Sequence, residues 1–74
     1  MTRLPQIDAA RLIRALKRAG FVEHEHRGSH LTLKHPVNGF RTTVPVHGGD
    51  VKRSLMKLIL KQAGLTEAEF REVV

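Results

Sequence analysis

The sequence predicts an α+β fold in the order α-β-β-β-α, a three-stranded antiparallel sheet with both helices on one face. Two observations lead there. Apolar residues recur at helical spacing near both ends, over about residues 9–19 and 51–63, and stretches between them alternate apolar with polar. Glycine, proline and asparagine punctuate the boundaries. Two amphipathic helices suffice to cover the apolar face of such a sheet and leave its other face in water. Seventy-four residues suit one domain, taken as 1–74 with 66–74 as a short C-terminal extension. A core of that size is modest, so oligomerisation or a tight partner would support it.

Asp8 is the expected N-cap of the first helix, since its carboxylate can accept from a first-turn N–H. Ala9, Leu12, Ile13, Leu16 and Ala19 form its apolar stripe, and Gly20 suits the left-handed position that ends it. A strand over 21–26 rests on little more than Phe21 and Val22, and Arg27-Gly28 supplies a turn. Over 29–35, Leu31 and Leu33 share one face and His30, Thr32 and Lys34 the other. Pro36-Val37-Asn38-Gly39 is a turn by composition. Over 40–46, Phe40, Thr42, Val44 and Val46 oppose Arg41, Thr43 and Pro45. Pro45 lacks an N–H and belongs near a strand end or at an edge. Asp50 is the expected cap of the second helix. Val51, Leu55, Leu58, Ile59 and Gln62 trace its face, Met56, Leu60 and Ala63 widen it, and Gly64 stops it. Thr66 and Glu69 have capping-box spacing for a short last helix carrying Phe70 and Val73.

Thirteen Lys and Arg oppose seven Asp and Glu, a formal net charge of +6. Residues 1–64 carry twelve of the basic and four of the acidic side chains, and 65–74 reverse the sign. Such an excess draws a small domain to polyanions, nucleic acid first. Cysteine is absent, which removes disulfides, thiolate nucleophiles and Cys-based zinc sites, and is compatible with a reducing cytoplasm. No apolar run is long enough to cross a bilayer, and the N-terminus has no signal-peptide core, so no membrane role is expected.

Five histidines, at 24, 26, 30, 35 and 47, are the candidates for chemistry. His30 stands out because it follows a glycine turn and falls on the polar sheet face. If His35 lies opposite Phe40, paired residue numbers sum to 75. His30 then faces Pro45, Leu31 faces Val44, Leu33 faces Thr42 and Lys34 faces Arg41. His47 would lie diagonal to His30, about 7–8 Å away, a span that can bracket a phosphodiester. RNA brings its own nucleophile, the 2′-hydroxyl. Cleavage then needs proton transfer, which histidine supplies near neutral pH, and cations to hold the phosphorane charge. Arg27, Ser29, Lys34 and Arg41 are the expected RNA and phosphate contacts. His24, His26 and His30 without cysteine make a poor zinc set, and no metal or other cofactor is expected. Gly48-Gly49 has no Walker spacing and reads as a hinge. With no Trp or Tyr, base-stacking platforms are limited to three Phe.

Four short runs occur in a fixed order: Ala19-Gly20-Phe21, Gly28-Ser29-His30, Thr43-Val44-Pro45-Val46-His47, and Ile59 to Leu65. Together they resemble HicA-type toxins over about residues 8–70. The resemblance implies a double-stranded-RNA-binding-like fold and an mRNA-cleaving toxin of a type II toxin–antitoxin pair. It implies His30 as the catalytic residue, with Ser29 beside it in the motif, and a HicB-type antitoxin that blocks the site. One departure is Arg53-Ser54-Leu55, where many members carry Gly-Thr-Leu. Two other functions fit the same residues. One is a non-catalytic double-stranded-RNA-binding module working through shape and phosphate contacts. The other is an interaction domain whose basic face meets an acidic protein.

Overall fold

The computed structural model describes residues 4–46 and 48–74. Six elements follow in order: α1 (Ala9–Arg18), β1 (Val22–Arg27), β2 (His30–Lys34), β3 (Arg41–Pro45), α2 (Arg53–Ala63) and α3 (Glu67–Val73). The strands form one antiparallel sheet in the order β1-β2-β3. This is the expected α+β, double-stranded-RNA-binding-like architecture, with α3 added. Among the described residues no helix is long and apolar enough to cross a membrane.

Local chemistry sets most boundaries. The Asp8 carboxylate accepts from the Arg11 N–H at 2.8 Å and so starts α1. At its end the Phe21 N–H reaches the Leu16 carbonyl and the Gly20 N–H reaches Lys17, with Gly20 at φ +105°. That paired closure is the Schellman stop. The loop joining β1 to β2 is two residues long. Gly28 takes φ +54° in it and Ser29 does not go positive, the pattern of a type II′ hairpin turn. The next turn closes with His35 N–H on the Phe40 carbonyl at 2.8 Å.

The β2–β3 register pairs His30 with Pro45, Leu31 with Val44, Leu33 with Thr42 and Lys34 with Arg41, as the alternation predicts. Leu31, Leu33, Thr42 and Val44 are buried against Leu12, Leu16, Met56, Ile59, Leu60 and Phe70. Thr42 is the buried polar residue of this face, and its hydroxyl donates to Gln62 Oε1 at 3.0 Å. The closing bonds of 35 with 40 and of 46 with 29 fix the ladder phase. Residues 41, 43 and 45 therefore aim their backbone polar groups away from β2. Pro45 is the last residue of an edge strand and lacks only an N–H that would point outward.

Three expectations are corrected. Helix α2 begins at Arg53, with Lys52 at the cap position and no capping side chain, so Asp50 is not its cap. Residues 50 and 51 are extended instead: Asp50 bridges to Asp8, and the Val51 N–H donates to the Ile7 carbonyl at 2.8 Å. Second, α2 buries Met56, Ile59, Leu60 and Ala63, while Leu55 is half-buried and Leu58 and Gln62 are exposed. The helix is thus rotated from the face centred on Leu55 and Leu58. Third, Phe40 is half-exposed rather than inside. Its ring lies against Gly64, where a Cβ would stand only 2.5 Å from Phe40 Cε2.

Candidate active site

The outer sheet face is built in rows. Arg27, His30 and Pro45 form one row across the three strands, and Glu25, Thr32 and Thr43 the next. The Thr32 and Thr43 hydroxyls meet at 3.1 Å, which places them on one face. His30 is exposed and opens β2 directly after the Gly28-Ser29 turn. Arg27 is its cross-strand neighbour, and the Arg27 guanidinium pairs with Glu25 at 3.0 Å. Lys34 and Arg41 pair with each other at the opposite end of the strands. Four residues along β2 put them about 13 Å from His30. The structure therefore brings Arg27 and Ser29 beside His30 and sets Lys34 and Arg41 apart. His47 lies outside the described residues.

The remaining histidines occupy other settings. His35 Nδ1 accepts from the Val37 and Asn38 N–H groups at 3.2 and 3.3 Å. Its ring meets Phe21 edge-on at 5.2 Å, so it serves the turn. His24 falls where the β1–β2 register shifts, between Glu23 and Glu25. His26 pairs with Leu31 and lines a cavity of about 640 Å³ on the helix side of the sheet. Asp8 and Glu23 line that cavity too. Lys17 bonds the Glu23 carboxylate at 2.6 Å and holds its pKa below the ordinary glutamate value. Two carboxylates make this larger cavity a poor seat for a polyanion.

A smaller groove, about 410 Å³, is lined by His30 itself. Its other walls include Thr43 and Pro45 of β3 and Leu55, Leu58 and Gln62 of α2. It straddles the free edge of β3, with the sheet face on one side and α2 on the other. The α2 residues were absent from the site expected from sequence. Their signal was present in Leu58, an apolar residue on a helix that is apolar on more than one side. At the start of α2, Arg53 Nε donates to the Leu4 carbonyl at 3.0 Å, so that guanidinium is engaged within the fold.

No curated protein matches the chain. A family model does, the HicA toxin of bacterial toxin–antitoxin systems, over residues 9–65. The matched span runs from the first residue of α1 through the outer-face rows and α2 to Leu65. The chain belongs to the HicA toxin family.

Proposed function

We propose that this toxin is a metal-independent endoribonuclease that cleaves mRNA through His30 and is neutralised by a HicB-type antitoxin. The observation that carries the reading is the placement of His30. It is exposed at the head of β2, between Arg27 and an open groove, inside the span that matches the toxin family. His30 takes the proton from the 2′-hydroxyl, or delivers one to the leaving 5′-oxygen. The 2′-oxygen bonds to phosphorus as the bond to the 5′-oxygen breaks, leaving a 2′,3′-cyclic phosphate and a 5′-hydroxyl. RNA supplies the nucleophile, so the scheme needs no metal-activated water. His47 is proposed for the second proton transfer. Arg27 and Ser29 hold the reacting phosphate, while Lys34 and Arg41 hold phosphates farther along the chain, as their distance requires. Messenger RNA and a cytoplasmic site of action follow from this reading.

His30→Ala tests it. Positioned proton transfer contributes about 10²–10⁴-fold, so cleavage and growth inhibition are expected to vanish while melting temperature and RNA affinity stay nearly unchanged. Cleavage that survives His30→Ala, or that EDTA stops, overturns the mechanism. The double-stranded-RNA-binding-like fold also supports a reading as an RNA-binding module without catalysis. In that case wild type and His30→Ala bind RNA equally and neither cleaves it.

A further inference from the structure

The groove beside His30 has a composition that neither proton transfer nor phosphate binding explains. Leu58 is half-exposed on a helix whose buried face lies elsewhere, and Leu55 is half-buried next to it. Facing them across the β3 edge is Pro45. Two apolar walls thus bound a slot whose volume sits near the small end of the range for small-ligand sites, about 300–1,000 Å³. Polar groups stand at its rim. Gln62 Oε1 is committed to the Thr42 hydroxyl, which leaves the Gln62 amide N–H pair as donors. Thr43 turns its backbone N–H and carbonyl toward the same free edge, where no described strand pairs with it.

We infer that this groove is a nucleobase pocket, receiving the base of the nucleotide whose 2′-hydroxyl is presented to His30. The inference rests on the proposed cleavage chemistry for its choice of occupant. A base has two apolar faces and a hydrogen-bonding edge, and the slot offers apolar walls and a rim of donors and an acceptor. Base and 2′-hydroxyl sit on adjacent carbons of one ribose, and His30 lines the same groove, so one nucleotide reaches both. The walls are aliphatic rather than aromatic, so selectivity comes from the rim. Gln62 donates to a ring nitrogen or carbonyl acceptor, and the Thr43 edge completes the pattern.

The probes are the four nucleoside 3′-monophosphates, titrated into wild-type protein while the Leu55 and Leu58 methyl signals are followed by NMR. At least one nucleotide is expected to shift those methyls, with affinities that differ several-fold among bases. Leu58→Ala, at a half-exposed position the core does not need, is expected to weaken that binding at least threefold. Gln62→Glu keeps the acceptor for Thr42 and removes the donor, and is expected to change the order of preference among bases. Mapped ends of a mixed-sequence RNA should show the same change, with cleavage still dependent on His30.

Methyls that no nucleotide shifts overturn the pocket, even if His30-dependent cleavage persists. So does a Leu58→Ala variant that binds nucleotides normally but loses affinity for a HicB-type antitoxin, which would assign the groove to a protein. Base-selective shifts without any RNA cleavage would uphold the pocket and defeat the catalytic reading instead.

Discussion

His30 and His35 flank the same strand, and the hairpin gives them different surroundings. His35 is fixed by two backbone N–H groups and the Phe21 ring, and Gly20 is needed beside it because a Cβ there would stand 2.5 Å from Nε2. His30 is left open to solvent. A second close approach is testable. Gly64 sits at φ +72° with the Phe40 ring where a Cβ would go. Gly64→Ala should cost about 1–2 kcal/mol for the left-handed backbone alone. Displacing Phe40 adds to that. Urea titration of Gly64→Ala in wild-type and Phe40→Ala backgrounds separates the parts, and the cost should be smaller in the second. Equal costs would mean the half-exposed ring swings away freely. Strand parity made the outward placement of His30 legible in the sequence, because Leu31 and Leu33 had to face the helices. The Phe40–Gly64 contact was not legible, because it joins a turn to a helix end twenty-four residues on.

Elements whose limits are set by neighbouring residues could be read directly. Asp8 caps α1, and the Thr66–Glu69 box caps α3 with bonds of 2.9 and 3.1 Å. Helix α2 could not be read this way. Its start depends on Val51 pairing with Ile7, a contact between distant parts of the chain. Its facing was ambiguous because Leu55, Met56, Leu58, Ile59 and Leu60 allow two overlapping stripes. The same ambiguity hid the groove beside His30. The α3 box also carries a pH signature. Bonds from the Thr66 backbone and then its side chain lower the Glu69 pKa below the ordinary 4.5. A carboxylate lowered in the folded state stabilises above its unfolded pKa, and that contribution is lost as the pH falls through the folded value. Thr66→Ala should cost about 1 kcal/mol at neutral pH. That variant keeps the Thr66 backbone N–H, which does most to lower the Glu69 pKa, so the pH signature belongs to Glu69→Ala. In thermal melts the Glu69→Ala gap from wild type should be full above pH 5 and narrow as the pH drops below 4.5. A Glu69→Ala gap independent of pH would show that the carboxylate's charge takes no part in the cap.

At the scale of the molecule, a single core joins the inner sheet face to all three helices. The outer strand β1 is exposed along its whole length, and its alternating Glu and His residues guard an open edge. Little apolar surface is therefore held in reserve. The family match ends at Leu65, yet Phe70 beyond it is fully buried, and Arg18 Nη1 donates to the Val73 carbonyl at 2.8 Å. Helix α3 thus closes the end of the core against α1. A 74-residue chain has roughly 4–11 kcal/mol of stability at the usual 0.05–0.15 kcal/mol per residue. Phe70→Ala should remove about 3–5 kcal/mol of it. For a domain of this size each kcal/mol moves the midpoint by about 4–8 °C, so a fall of at least 10 °C is expected. Ending the chain at Leu65 should leave it largely unfolded by circular dichroism. An antitoxin that binds only the folded toxin would raise the Phe70→Ala midpoint in proportion to the logarithm of its concentration. A truncated chain that melts like wild type would mean that the residues of the family match build a sufficient core without Phe70.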